Sequence, residues 1–100
     1  LSINYVSGST GKVQTMYVSK KAIPKDSNVL IIDDFMRAGG TIKGMIEIVK
    51  ELNSNVSGVC VLMETKTPLE KMVKDYTSIL FLEGIKDNNI IIYPNEKIYE

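Results

Sequence analysis

Histidine and tryptophan are absent from this chain, and cysteine occurs once. Without histidine there is no Ser-His or Cys-His couple for nucleophilic catalysis, and most zinc sites are excluded with it. Cys60 has no second cysteine to pair with, which agrees with a reducing cytosol. Net charge is missing too, since 12 basic and 12 acidic side chains cancel. Tight nucleic-acid binding runs on phosphate neutralisation, so a chain without a dense basic cluster is a poor DNA binder by itself. The longest apolar run, Val59 to Met63, is far shorter than the roughly 20 residues a helix needs to cross a bilayer. No secretion signal is visible, and the expectation is a cytoplasmic protein with no membrane partner.

What is present suits one folded domain over residues 1–100, because 44% of the residues are hydrophobic and can build a core. Residues 2–7 and 13–19 are strand-like and flank Gly8-Ser-Thr-Gly-Lys12, the pattern of a β-hairpin with a mobile tip. Pro24 and Lys25-Asp-Ser-Asn28 mark a loop. Val29 to Asp33 reads as a central parallel strand covered on both faces. A helix is expected over 41–53, with Thr41 as N-cap, Asn53 and Asn55 at the exit, and Ile42, Met45, Ile46, Val49 and Leu52 on one face. Val56 to Glu64 is a second buried strand, and Thr67-Pro-Leu-Glu70 has the form of a capping box opening a short helix to about Asp75. Ser78–Leu82 and Asn89–Tyr93 are further strands, and residues 96–100 look like a frayed tail. Alternating strands and helices define an α/β fold with an open, mostly parallel sheet and flanking helices. The chain starts at Leu1, and the first strand of a doubly wound sheet is missing, so a fragment of a longer protein is expected.

The most informative stretch is Val29-Leu-Ile-Ile-Asp-Asp-Phe-Met-Arg-Ala-Gly-Gly-Thr41. A carboxylate only accepts hydrogen bonds, so adjacent Asp33 and Asp34 suit the paired hydroxyls of a ribose. Gly39 and Gly40 permit a sharp turn and close approach of backbone to a ligand. The amides and positive pole of the following helix then offer a socket for phosphate. In open parallel sheets ligands bind beyond the carboxyl ends of the strands, which is where this segment falls, on what reads as the middle strand.

This stretch resembles the signature of type I phosphoribosyltransferases, the fold that binds phosphoribosyl pyrophosphate (PRPP). Together with Ser2-Ile-Asn-Tyr-Val-Ser-Gly-Ser9 and Val13-Gln-Thr-Met16 it is similar to the purine operon repressors of Gram-positive bacteria, which use that fold as a PRPP sensor. The likeness covers residues 2–64. It implies that Asp33 and Asp34 accept from the ribose 2′- and 3′-hydroxyls, directly or through a magnesium-bound water. Ala38, Gly39, Gly40 and Thr41 would hold the 5′-phosphate, with Arg37 leaning toward a phosphate or facing solvent. Lys12 and Gln14, on the hairpin hood, would touch pyrophosphate. Mg2+ would arrive with PRPP near Asp33 and Asp34, with no direct metal site and no catalytic residue in this chain.

The resemblance also implies a homodimer whose operator DNA is read by a winged-helix domain outside this chain, with PRPP relieving DNA binding. The alternative is an active purine phosphoribosyltransferase of xanthine or adenine type. Many catalytic members carry small hydroxyl residues where Arg37 and Ala38 stand, so one phosphate donor is lost here, which favours sensing over turnover. Gly8-Ser-Thr-Gly-Lys12 is not a nucleotide-binding loop, whose glycines are further apart and whose lysine precedes Ser or Thr rather than Val13. Phe35 and Met36 read as packing residues and Cys60 as a small core residue.

Overall fold

The computed structural model describes residues 1–6 and 12–99. Strands β1 (Ser2–Val6) and β2 (Val13–Tyr17) form an antiparallel hairpin in register Ser2 to Tyr17. Strand β3 (Asn28–Met36) runs into α1 (Gly40–Glu51), followed by β4 (Asn55–Thr65), β5 (Thr77–Lys86), β6 (Asn89–Pro94) and a 3-10 turn over Glu96–Tyr99. The main sheet has the order β3-β4-β5-β6; its first three strands are parallel and β6 is antiparallel. The expected α/β class, mostly parallel sheet and N-terminal hairpin are therefore present, with one α-helix among the described residues instead of several.

Helix α1 lies between the sheet and the hairpin. One stripe, Ile42 and Val49, joins Ile31, Met36, Val59, Val61 and Val73 in the core, with Met45 and Ile46 packed against it. A second stripe, Gly44 and Ile48, is also buried. Gly44 lets the hairpin approach, since a Cβ there would stand 3.1 Å from Cβ of Tyr5. The helix ends in a Schellman motif, in which the Asn53 amide donates to the Lys50 carbonyl and the Ser54 amide to the Val49 carbonyl, at 3.0 and 3.1 Å. Asn53 takes the left-handed conformation there (φ 57), so the expected exit residue is in place.

Four expectations need correction. Strand β3 is an edge strand, not a central one, and only one of its faces is covered: Leu30 is 57% and Ile32 68% exposed. The strand also continues through the acidic pair to Met36, so the acids lie inside its pairing with β4, with Asp33 opposite Val61. The segment after β4 forms no helix. Its Met72 amide donates to the Ala38 carbonyl at 2.7 Å rather than to the residue four back, and Leu69 is 81% exposed with no face to bury. Residues 96–99 of the expected frayed tail form a 3-10 turn that follows Asn95, whose amide and side chain donate to the Ile79 and Ser78 carbonyls, both at 2.8 Å.

Strand β5 runs on to Lys86 because Asp87 and Asn88 both accept positive φ, 53 and 63, and close a tight hairpin to β6. Cys60 is half-buried in β4 and not a member of the core. The hairpin tip lies in residues 7–11, outside the described residues.

Candidate functional site

Asp33 and Asp34 lie within β3, two to three residues before its carboxyl end at Met36. Asp34 is exposed, Asp33 half-buried, and the Asp34 amide donates to Oδ1 of Asp33 at 2.9 Å. Burial raises the Asp33 carboxyl above its ordinary range; the Asp34 amide opposes this, and the carboxyl of Asp34 adds to it. A site that holds a half-buried acid beside a second one is poised to receive hydroxyl donors or a cation, either of which relieves the repulsion.

Past Met36 the chain turns through Arg37 and Ala38 to Gly39, the residue that caps α1. Gly39 has φ 96 and ψ 13, a left-handed conformation that costs any L side chain about 1–2 kcal/mol. The helix begins one residue earlier than expected: Thr41 is in its first turn and no side chain caps it. The first helical hydrogen bond runs from the Lys43 amide to the Gly39 carbonyl at 2.9 Å. The amides of Gly40, Thr41 and Ile42 thus have no carbonyl within the helix, and they gather at its positive pole. A Cβ on Gly39 would meet Val73 Cγ2 at 3.3 Å and the Met72 amide at 3.5 Å, so it would point at the neighbouring loop, not into the open side of the turn.

That neighbouring loop carries residues the sequence reading missed. Lys71 Nζ donates to the carbonyl of Arg37, to that of Thr65 at 2.7 Å, and at 3.4 Å to Thr65 Oγ1. Burial lowers the Lys71 ammonium group's pKa, opposed by the nearby Glu64 carboxylate and assisted by Arg37. Glu64 is itself buried (6% exposed) and accepts from Ser78 Oγ at 2.6 Å and Tyr76 Oη at 2.7 Å. Burial and the bond to Glu64 push the Tyr76 phenol well above its usual value. One signal was readable in advance: an acid closing the apolar run Val59-Cys-Val-Leu-Met63 needs partners if the strand is buried.

Asp33 and Asp34 thus lie within the last part of β3, and Arg37, Ala38, Gly39, Gly40 and Thr41 form the turn and first helical residues that follow the strand's carboxyl end. The two hairpin residues stand apart from that segment in the chain. Gln14 pairs with Tyr5, whose phenol donates to its Oε1 at 3.0 Å, and Lys12 is exposed just before β2. The hairpin packs on α1 through Tyr5 and Gly44, one turn beyond Gly40. Of the two residues read as packing, Met36 is buried at 2% exposure and Phe35 is not, at 42%. Among the described residues no group of three or more His, Cys, Asp or Glu stands ready to enclose a metal ion. No helix is long and apolar enough to cross a membrane among them.

A parallel strand carrying an acidic pair, followed by a left-handed glycine and a helix whose first three amides lack helical partners, fits a phosphoribosyltransferase-type fold, and the chain belongs to the phosphoribosyl transferase domain family, which it matches over residues 2–95. Within that class it is similar to regulators of purine genes. It is 53% identical over 85 residues to the purine biosynthesis transcriptional repressor PurR of Bacillus subtilis (strain 168), covering 85% of this chain and 30% of that protein. It is 42% identical to the purine biosynthesis transcriptional activator PurR of Lactococcus lactis subsp. lactis (strain IL1403), over 85% of this chain and 31% of the relative. Xanthine phosphoribosyltransferase of Clostridium tetani (strain Massachusetts / E88) is 34% identical over 77% of this chain and 43% of that enzyme. Adenine phosphoribosyltransferase from Thermoanaerobacter pseudethanolicus superimposes with a TM-score of 0.62 at 26% identity, covering 78% of this chain and 46% of that one. The chain spans under a third of the length of the curated regulators it matches.

Proposed function

We propose that this chain is part of the PRPP-sensing effector domain of a purine-biosynthesis repressor. The observation that carries the reading is the segment from Asp33 to Thr41, an acidic pair followed by a left-handed glycine turn and a helix N-terminus, in a chain 53% identical to a purine repressor. Asp33 and Asp34 accept from the ribose 2′- and 3′-hydroxyls, and the amides from Ala38 to Thr41, with the Thr41 hydroxyl, hold the 5′-phosphate. Arg37, exposed beside the turn, meets a phosphate oxygen, and Lys12 and Gln14 meet the pyrophosphate when the hairpin lies over it. The donor set fits Mg2+ carried in by the ligand, because hard carboxylate oxygens of Asp33 and Asp34 can complete a shell supplied mostly by phosphate and water.

In the intact protein, a homodimer in the cytoplasm, PRPP lowers operator affinity through a winged-helix domain. Such a switch requires PRPP to bind the DNA-free state more tightly than the DNA-bound one. The test is operator binding by the intact protein with and without Mg2+-PRPP. Weakened binding with the ligand is the expected result, and an unchanged operator affinity rejects the reading.

The similarity to xanthine phosphoribosyltransferase favours a second reading, an active transferase. Arg37 and Ala38 lack the hydroxyl donors of many enzymes of this fold, which favours binding over turnover. Pyrophosphate release from PRPP with xanthine, hypoxanthine, guanine or adenine separates the two: turnover with any base moves the assignment to the enzyme.

A further inference from the structure

We propose that Lys71 is the positioning residue of the phosphate socket, fixing the direction of its amides from behind the turn. This rests on the reading of the Arg37–Thr41 turn as a phosphate site. Lys71 Nζ holds the Arg37 carbonyl, while the amide of the next residue, Met72, holds the Ala38 carbonyl at 2.7 Å. Both carbonyls are thereby drawn toward the loop that follows β4. In a planar trans peptide the carbonyl and the following N–H point in opposite directions. Anchoring the Arg37 and Ala38 carbonyls therefore turns the Ala38 and Gly39 amides away from that loop, toward the open side of the turn.

Lys71 does this without touching the ligand. An ammonium group has three protons to donate. The Arg37 carbonyl, the Thr65 carbonyl and, more weakly, Thr65 Oγ1 take all three. The position of Lys71 is set in turn from the sheet. Its anchor Thr65 ends β4 beside Glu64, whose carboxylate is locked by Ser78 on β5 and by Tyr76. The Thr65 hydroxyl is tied as well, donating to the Thr67 carbonyl at 2.7 Å. The turn is thus braced against two further strands, β4 and β5, rather than merely hanging from the end of β3.

The loop supplies a second contact of the same kind. Val73 is buried (8% exposed) beside Gly39, within 3.3 Å of where a Cβ would stand. Lys71, Met72 and Val73 therefore press on three successive residues of the turn, Arg37, Ala38 and Gly39.

The experiment is titration calorimetry of Mg2+-PRPP into the intact protein carrying wild-type, Lys71→Met or Lys71→Arg sequence, well below the melting temperature of each. Lys71→Met weakens PRPP by roughly tenfold, the worth of one charge-assisted hydrogen bond. Lys71→Arg, which keeps charge and donors, stays within about threefold of wild type. A residue that merely stabilised the fold would lower the melting temperature and leave the dissociation constant alone. Wild type that binds alongside an equally tight Lys71→Met overturns the positioning role and leaves the site intact. Wild type that fails to bind PRPP rejects the parent reading instead. A ligand-free readout separates the two: the Ala38 and Gly39 amide resonances shift in Lys71→Met and return in Lys71→Arg, and unmoved resonances overturn the proposal. If Lys71→Met does not fold, Lys71→Gln, which keeps one short donor, takes its place with the same expected loss.

Discussion

At the scale of single residues, Asp33 and Gly39 carry opposite physical burdens. The Asp33 carboxyl titrates above its ordinary value because burial penalises its charge, helped by the Asp34 carboxyl and opposed by the Asp34 amide. The native state therefore keeps a proton that the unfolded chain has already released. The contribution of Asp33 to stability is therefore largest below the ordinary carboxylate value and falls as pH rises from there through the native one. The difference in urea midpoint between wild type and Asp33→Asn should shift against the wild type as pH rises across that interval. Asp34→Ala removes an acceptor without disturbing the core, since Asp34 is exposed. PRPP affinity should drop about tenfold or more in that variant, with its melting temperature unchanged, as read by calorimetry and thermal denaturation. Gly39→Val strains a φ of 96 and drives into Val73, so it should lower stability by at least about 1–2 kcal/mol as well as abolish binding. The damage passes through the loop behind the turn and not through a side chain filling the phosphate socket.

At the scale of elements, what could be read from the sequence was what neighbours along the chain determine. Ile42, Met45, Ile46 and Val49 share one stripe of a 3.6-residue period, and that stripe does meet the sheet. Asn53 follows the last turn and takes a left-handed conformation, as its residue type favours. The strand-to-helix segment Asp33 to Thr41 stood out in the sequence because its residues are consecutive. The stripe of Gly44 and Ile48 did not, because its partner is the hairpin, joined only by a non-local contact to Tyr5 and Met16. Lys71 was equally hidden: its acceptors lie 34 and 6 residues back along the chain. The Thr67-Pro-Leu-Glu70 pattern misled for a related reason, since the Met72 amide that would have served a helix serves Ala38. Gly44→Val should prise the hairpin from α1 while sparing the sheet. Limited proteolysis that cuts the variant near β1 or β2 faster than wild type, with unaltered far-ultraviolet helix signal, is the expected outcome.

At the scale of the whole molecule, the sheet has one face under α1 and one that leaves Leu30, Ile32 and Leu62 between 50% and 68% exposed. Parallel sheets are ordinarily covered on both sides. This chain expressed by itself should therefore associate with rising concentration, and Ile32→Lys should suppress that association in sedimentation velocity.

The position of β3 at the margin of its sheet leaves an isotopic trace. A strand flanked on a single side bonds every second amide to its neighbour and turns the others outward, so deuterium should enter β3 in a sawtooth, fast and slow by turns. Strand β4, enclosed by β3 and β5, should take up label slowly along the stretch where both neighbours run beside it. A further strand laid along the outer rim of β3 would smooth the sawtooth away, which makes the alternation itself a gauge of whether that seat is filled.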